Sequence, residues 1–101
     1  MKIEKFSLKN KWSFITGAAG LLGYYHAEAL LEIGANVILT DIDLIKLKKT
    51  MTKLKKNQYE SQEIICLKMD VTNEKSIISD INKILKKNIS IEILINNAAL
   101  N

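Results

Sequence analysis

Short apolar runs alternate with helical patterns along the chain. Four runs enriched in β-branched residues predict strands, and the segments between them carry apolar residues at spacings of three and four, which predicts helices. The predicted strands are Trp12–Thr16, Asn36–Thr40, Ile64–Met69 and Ile91–Ile95. The predicted helices run from about Leu21 to Ile33, from Asp43 to Asn57 and from Thr72 to about Lys87.

The strict alternation of strands and helices predicts an α/β fold of the Rossmann type, a doubly wound parallel sheet with helices on both faces. Strands that are buried on both sides appear as continuous apolar runs, as these four do. Asp43 and Thr72 are predicted to cap the second and third helices, and Gly34 to follow the end of the first. The apolar positions predicted to share one face are Leu22, Ala29, Leu30 and Ile33 in the first helix, Leu44, Leu47, Met51 and Leu54 in the second, and Ile77, Ile78, Ile81, Ile84 and Leu85 in the third.

Three glycines follow the first strand directly. In the segment TGAAGLLG they lie between a buried strand and the first turn of a helix. In that position, unpaired helix N–H groups and the positive end of the helix dipole can hold the pyrophosphate of a dinucleotide. Gly17 would make the tight turn, Gly20 would let the backbone approach phosphate, and Gly23 would let the helix pack closely on the sheet. Asp41 lies eighteen residues after Gly23, which matches the dinucleotide fingerprint.

Asp41 is the residue predicted to discriminate between cofactors. Its carboxylate can accept hydrogen bonds from the adenosine ribose hydroxyls, each worth ~1.5–3 kcal/mol. A 2′-phosphate in the same place would bring like charges about 4 Å apart, at a cost of ~4 kcal/mol for an effective dielectric constant of about 20. Ile42 follows, the chain has no Arg, and Lys46 lies a helical turn further on. We therefore expect NAD(H) to be preferred over NADP(H).

The chain resembles the short-chain dehydrogenases/reductases in several motifs. TGAAGLLG at Thr16–Gly23, DV at Asp70–Val71 and NNAA at Asn96–Ala99 occur in the order found in that family, and the lead-in SLKNKWSFITG is similar to the start of many members. The resemblance extends from Ser7 to Asn101. It implies an NAD-dependent oxidoreductase that transfers hydride to or from a carbonyl or alcohol carbon of a small-molecule substrate.

The resemblance also extends the predicted cofactor site. It implies that Asp70 contacts the adenine amino group and that Val71 packs near the ring, although an Asp at a strand end could equally cap the next helix. Asn96 is assigned a bracing role and Asn97 to Ala99 contacts with the ribose. The predicted cofactor-binding residues are Gly17, Ala19, Gly20, Leu21, Leu22, Gly23, Asp41, Asp70, Val71, Asn97, Ala98 and Ala99.

Two motifs point to different branches of the family. The spacing TGxxGxxG is more usual in the extended branch, which includes nucleotide-sugar epimerases and dehydratases. NNAA is closer to the NNAG of the single-domain branch, with Ala99 where Gly is usual. The substrate class therefore stays open, with sugars or sugar nucleotides favoured.

No residue of this chain is predicted to be catalytic. The chemistry of the family needs a Tyr with a Lys four residues later, and a Ser; Tyr24, Tyr25 and Tyr59 are followed at that spacing by Glu, Ala and Glu. In the family this group lies beyond the fourth strand. We therefore interpret residues 1–101 as the N-terminal part of a single NAD(P)-binding domain without its catalytic half. The alternative is a truncated remnant that only binds a nucleotide or a partner.

Composition and charge exclude several other classes. Apolar residues make up 48% of the chain, but no run approaches the ~20 residues that span a bilayer, and the N-terminus lacks the apolar segment of a signal peptide. All fifteen basic residues are Lys, whereas a nucleic-acid reader is expected to use Arg. No residue cluster predicts a metal site. The lone Cys66 lies in an apolar run and is predicted to belong to the core. We expect a cytoplasmic protein without a membrane or nucleic-acid partner, and a homo-oligomer when complete.

Overall fold

A computed structural model of the chain describes residues 7–97. Strands and helices alternate throughout this part, which confirms the predicted order. The elements are β1 (Trp12–Thr16), α1 (Leu21–Glu32), β2 (Asn36–Asp41), α2 (Leu44–Lys55), β3 (Ile64–Lys68), α3 (Glu74–Leu85) and β4 (Ile91–Asn96). Their ends differ from the predicted ones by two residues at most, because the caps and not the apolar pattern decide where a helix begins.

The four strands form one parallel sheet in the order β3-β2-β1-β4. Phe14 in β1 pairs with Ile38 of β2 on one side and with Leu94 of β4 on the other. The chain therefore winds outward from β1 to β3 and then returns to place β4 beside β1. In open α/β sheets, ligands bind outside the carboxyl ends of the strands where the strand order reverses, which is here between β1 and β4.

The core has two layers, one on each face of the sheet. Alternate residues of β1 and β2 contribute to opposite layers, since successive side chains of a strand point to opposite faces. One layer joins Ile15, Val37 and Leu39 to residues of α1 and α2, and the other joins Phe14 and Ile38 to residues of α3. Helices therefore cover both faces of the sheet, which confirms the doubly wound arrangement.

The predicted inward face of α1 is wrong. The buried positions of this helix are Gly23, Ala27 and Leu31, spaced four residues apart, whereas Leu22 is 61% exposed and Ala29 is also exposed. The helix is apolar on nearly all sides, so its periodicity does not define a single face. Small residues occupy the contact with the turn and the sheet because they let the helix backbone come close.

The third helix also differs from its prediction in two respects. Asn73 caps it by accepting from the Ser76 N–H at 3.1 Å, so Thr72 is not the cap. Of the five positions predicted to face inward, Ile84 is buried and Ile77 half-buried, while the other three are exposed. The described part of the chain covers only the half of this apolar face that lies over the sheet. The exposed residues are Ile78, Ile81 and Leu85.

The free side of β4 predicts self-association of the 101-residue chain. Leu94 is 68% exposed on this strand, which is an edge of the described sheet, and exposed apolar edges invite pairing. We expect Leu94→Lys to raise the concentration for half-association about tenfold, the equivalent of exposing one leucine side chain at ~1.5 kcal/mol.

Light scattering across a dilution series measures that midpoint. Ile45→Lys is the matched control, because Ile45 is 73% exposed on α2, away from the sheet edge. A control that dissociates the chain as well as Leu94→Lys would contradict the assignment of the interface to β4.

Candidate functional site

The glycine turn between β1 and α1 is hydrogen-bonded to the end of β2. Gly17 has a φ of 61°, which confirms its role in the tight turn, since glycine reaches this region without a steric penalty. The Ala18 N–H donates to the carbonyl of Thr40 and the Ala19 N–H to Oδ2 of Asp41, both at 3.0 Å. These two bonds hold the turn at the carboxyl edge of the sheet, beside the carboxylate predicted to bind ribose.

The Asp41 carboxylate is held in place by backbone groups only. Besides accepting from Ala19, it accepts the Asp43 N–H on Oδ1 at 3.0 Å. A carboxylate has about four acceptor positions, so two of them remain available for hydroxyl donors. Asp43 caps α2 by accepting from the Lys46 N–H at 3.0 Å, which confirms its predicted capping role. The ribose contact of Asp41 stays a prediction.

The N-terminus of α1 lacks a side-chain cap. Gly20 is its N-cap residue and the first turn has no acidic residue, whereas Asp43 and Asn73 cap α2 and α3. The first N–H groups of a helix have no acceptor inside the helix and together carry about half a positive charge. The Gly20 N–H donates to the Gly17 carbonyl at 3.3 Å, whereas the N–H groups of the exposed Leu21 and Leu22 are accessible to an anion.

Gly20 and Gly23 differ in what surrounds them. A Cβ atom on Gly23 would lie 2.6 Å from the Cα of Ala18 and 2.6 Å from the carbonyl oxygen of Gly17, so only glycine fits there. The close contact is with the turn itself, which refines the prediction of packing on the sheet. A Cβ on Gly20 would meet nothing closer than the same oxygen at 3.6 Å. The fold therefore does not require glycine at position 20, although a ligand seated on the helix terminus would.

A cleft of about 300 Å³ opens between the glycine turn and the ends of β2 and β3. It unites most of the regions predicted to form the cofactor site, which are separated by up to eighty residues along the chain. The lining residues are Gly17, Gly20, Thr40, Asp41, Ile42, Met69, Asp70, Val71, Thr72 and Asn97. The predicted site residues Leu21, Leu22 and Gly23, on the first turn of α1, are not among them. Ala19 does not line the cleft either, but it donates its N–H to the Asp41 carboxylate.

Asp70 does not cap α3, which excludes the capping role as one of the two interpretations of this residue. Its Oδ1 accepts the N–H of Thr72 at 2.9 Å and the Thr72 hydroxyl at 2.6 Å. The hydroxyl and amide bonds from Thr72 lower the pKa of the Asp70 carboxyl. The carboxylate thus stays ionised at the mouth of the cleft, next to Val71, and can accept from an amino group.

The two asparagines at the end of β4 have different environments. Asn96 accepts from the Thr16 hydroxyl at 2.7 Å, which ties β4 to β1 and agrees with a bracing role. Asn97 donates its backbone N–H to the same hydroxyl oxygen at 3.2 Å and lines the cleft. Its Nδ2 is buried without a hydrogen-bond partner in the described part of the chain. Ala98 and Ala99, also predicted to contact ribose, lie outside the described residues.

Sequence reasoning missed four residues that line the cleft. Each is adjacent to or near a predicted residue, and position next to a strand end was the only signal that could have identified them. Thr40 donates its hydroxyl to the Ile15 carbonyl at 3.0 Å and so braces the two central strands at the site. The other three are Ile42, Met69 and Thr72.

The tyrosines of the described region do not form an acid–base pair with a lysine. The Tyr24 hydroxyl donates to Oε2 of Glu28 at 3.0 Å. The pKa of Tyr24 is raised, mainly by burial of its hydroxyl and secondly by this hydrogen bond. Burial likewise raises the pKa of Tyr59.

Residues 7–97 contain no group of three metal-ligating side chains and no helix long and apolar enough to cross a membrane. Cys66 is half-buried, and its Sγ lies 3.4 Å from the Sδ of Met51. Burial raises the pKa of the Cys66 thiol.

A parallel sheet with an uncapped helix N-terminus and an acid at the end of β2 defines a Rossmann-type α/β protein. A sequence model of the short chain dehydrogenase family matches residues 11–101. The chain therefore belongs to the short-chain dehydrogenase family, an oxidoreductase family that uses nicotinamide cofactors.

Three similar proteins illustrate the match. Mouse 15-hydroxyprostaglandin dehydrogenase [NAD(+)] is 34% identical over 97 residues, which are 93% of this chain and 35% of that protein. A structure of NAD⁺-bound xylitol dehydrogenase has a TM-score of 0.82 at 27% identity, over 91% of this chain and 34% of that one. The RhlG/NADP complex from Pseudomonas aeruginosa has a TM-score of 0.82 at 26% identity, over 99% and 38%. The chain thus spans about a third of the length of the relatives it matches.

Proposed function

We propose that this chain binds NAD(H) as the cofactor-binding portion of a short-chain dehydrogenase/reductase-like oxidoreductase. Residues 1–101 would form the N-terminal part of a single NAD(P)-binding domain. The catalytic Ser, Tyr and Lys would come from chain beyond Asn101, since none of the three tyrosines here has a Lys four residues later. When bound, the nicotinamide ring supplies or accepts the hydride. The residues of this chain bind and orient the dinucleotide.

Each part of the dinucleotide has a complementary group in the cleft. The pyrophosphate would accept from the N–H groups of Leu21 and Leu22 and approach the backbone at Gly20, whose own N–H donates to the Gly17 carbonyl at 3.3 Å. Gly17 and Gly23 would shape the turn that presents these groups. The adenosine ribose would donate to Asp41. The adenine would lie between Asp70 and Val71, and its amino group would donate to the Asp70 carboxylate. At the end of β4, Asn97 would contact the second ribose, as we also propose for Ala98 and Ala99.

The observation that carries this proposal is the bond from the Ala19 N–H to the Asp41 carboxylate at 3.0 Å. Ala19 directly precedes Gly20, the N-cap residue of α1, so this bond places the proposed ribose acceptor next to the proposed phosphate site at the helix terminus. A single dinucleotide requires that arrangement. Two further features fit a bound dinucleotide. Gly20 leaves open space where a side chain would block phosphate. The buried Nδ2 of Asn97 has no acceptor among the described residues, and a ligand could supply one.

The preference for NAD over NADP rests on Asp41. Relatives of this chain have been described with NAD⁺ and with NADP, so family membership does not decide between the two. A fixed carboxylate with open acceptor positions favours two ribose hydroxyls and repels a 2′-phosphate. We propose a carbonyl or alcohol substrate for the complete protein, with a sugar or a sugar nucleotide favoured.

Asp41→Ala tests the ribose contact. Loss of two charge-assisted bonds is expected to raise the Kd for NADH at least tenfold, and the ratio of NADH to NADPH affinity should fall. Titration of NADH fluorescence with the 101-residue chain measures both constants. Asp43→Asn is the matched control, because it removes one negative charge two residues away and Asn still caps α2. Unchanged selectivity in Asp41→Ala would refute the ribose contact.

The alternative proposal is a remnant that only binds a nucleotide or a partner. Both functions require the cofactor site, so turnover separates them. The coding sequence downstream of Asn101 is the direct test. An in-frame Ser and Tyr-x-x-x-Lys would support the enzyme, and an immediate stop codon would support the remnant.

A further inference from the structure

The outer face of α2 carries a cluster of lysines and no acidic residue. Leu47 and Leu54 fix the opposite side of this helix in the core, and no acid occurs between Asp43 and Glu60 along the chain. At about 3.6 residues per turn, the exposed lysines of α2 and of its C-cap fall within half of the helix circumference. This lysine face consists of Lys46, Lys48, Lys49, Lys53, Lys55 and Lys56.

The described structure provides no counter-ion for the lysine face. The ion pairs within residues 7–97 are formed by lysines outside α2, and Lys53 lies instead 4.3 Å from the centre of the Tyr24 ring. Lysines three and four residues apart on a helix, such as Lys49 and Lys53, repel each other. The helix dipole favours cations only in the last turn, so it accounts for Lys53 and Lys55 but not for the lysines nearer the start of α2.

The positive charge of the chain is concentrated on this face. The whole chain has fifteen lysines and eleven acidic residues, which gives a net charge of +4. Without the six lysines of the face, nine lysines remain against eleven acids, a net charge of −2. An anionic surface would therefore attract the molecule with α2 foremost, because the rest of the chain carries a small negative charge.

The chemistry of the lysine face fits a lipid surface better than a nucleic acid. Single strands bind on aromatic platforms and specific contacts to duplexes use Arg, but the face contains neither residue type. Ile45 lies among the lysines and is 73% exposed, which suits the boundary between headgroups and acyl chains. A depression of about 490 Å³ on the same face is lined by Lys48, Lys49, Thr52, Lys53 and Lys56.

We infer that the lysine face docks on membranes that contain anionic phospholipids. Clusters of about four to eight basic residues are typical of proteins held by the negative surface potential of such membranes. The other apolar side chains of α2 pack on the core, so the helix lies on the bilayer and only Ile45 enters the boundary. A surface contact needs no spanning run of apolar residues, whose lack in the sequence led us to expect no membrane partner. None of the six lysines lines the nucleotide cleft, so the cleft stays open and the docking is independent of the proposed cofactor site.

The first test is co-flotation of the 101-residue chain with phosphatidylcholine vesicles, with and without phosphatidylserine. Flotation distinguishes bound protein from self-associated protein, which does not rise with the lipid. The chain should float only with the anionic vesicles, and added salt should release it, because salt screens these charges. Equal flotation with both kinds of vesicle, or flotation with neither, would overturn the inference.

The second test removes charge from the lysine face. Lys49→Gln, Lys53→Gln and Lys56→Gln together should lower partitioning onto the anionic vesicles roughly a hundredfold, since each lysine near the surface contributes about fivefold. The matched control removes the same charge from exposed positions on α3 and just after it, on the other face of the sheet, and should change partitioning less than about threefold. It carries Lys75→Gln, Lys86→Gln and Lys87→Gln. Equal losses in the two variants would mean that net charge alone drives binding, which would overturn the inference.

Ile45→Gln distinguishes a bilayer from a nucleic acid. It keeps the charge of the lysine face but should weaken vesicle binding about tenfold, because an apolar side chain no longer enters the boundary. Binding to duplex DNA should not change. If Ile45→Gln floats as well as the unaltered chain, and duplex DNA at the same phosphate concentration strips the chain from the vesicles, the partner is a nucleic acid and the membrane inference fails.

Discussion

Gly20→Asp is expected to abolish dinucleotide binding and to make the chain more stable. Gly20 is the N-cap of α1 with an extended backbone, φ −79° and ψ 168°, which is the conformation in which an Asp side chain accepts helix N–H groups. The new carboxylate would occupy the donors that we assign to the pyrophosphate. Like charges about 4 Å apart cost ~4 kcal/mol, so the Kd for NADH should rise roughly a thousandfold.

The gain in stability separates this effect from simple damage to the fold. A capping carboxylate at an uncapped helix should raise the free energy of unfolding by about 0.5–1 kcal/mol. Urea denaturation and NADH titration on the same samples measure the two quantities. Gly20→Asn is the matched control: it caps the helix without the charge, so it should stabilise by only about a few tenths of a kcal/mol and weaken NADH less. If Gly20→Asp bound NADH as tightly as the unaltered chain, the phosphate would not lie at this helix terminus.

Gly23→Ala is expected to destabilise the chain by about 3 kcal/mol. The added Cβ would lie 2.6 Å from two backbone atoms, the Cα of Ala18 and the carbonyl oxygen of Gly17, which cannot move aside as a flexible side chain could. Overpacking of this kind costs about 1–3 kcal/mol, and a rigid neighbour puts the cost at the upper end. For a domain with a total stability of about 5–10 kcal/mol, this is a large fraction.

Urea denaturation measures the cost, as a fall in the midpoint. Gly20→Ala is the paired control, because its Cβ meets nothing closer than 3.6 Å and its stability should change by less than about 1 kcal/mol. Equal midpoints for Gly23→Ala and the unaltered chain would mean that α1 does not pack on the turn as closely as described.

The fold could be predicted from the sequence because β1 and β2 are buried on both faces. Four residues of each strand are buried, and the apolar residues at their centres, Phe14–Ile15 and Val37–Leu39, favour a central parallel strand. The helix faces were harder. In α2, lysines mark the solvent side and the inward positions Leu47 and Leu54 follow from the pattern. In α1 the two charged residues, Glu28 and Glu32, leave most of the helix surface apolar. Its buried face of Gly23, Ala27 and Leu31 therefore depends on close packing that periodicity does not record.

The candidate site was predictable where a residue type has one physical use. Gly17 needs a positive φ, and Asp41 follows a buried strand, so both positions carry a local signal. Local signals failed where two residues competed for one role. Thr72 and Asn73 are both residue types that cap helices well. Asn73 caps α3 because the hydroxyl and N–H of Thr72 are bonded to the Asp70 carboxylate instead. The cavity of about 340 Å³ lined by Lys46, Lys49 and Lys53 could not be predicted, because lysines at these spacings are also typical of an ordinary solvated helix face.

The most direct test of the account is an NMR titration of the ¹⁵N-labelled chain with NADH. The central claim is that the amide hydrogens at the start of α1 hold a pyrophosphate while Asp41 holds the adjoining ribose. We expect saturable shifts that are largest for the amides of Ala19 to Gly23 and for Asp41 and Asp43. Amide signals that do not move, or that move only at sites remote from the glycine turn, would contradict it.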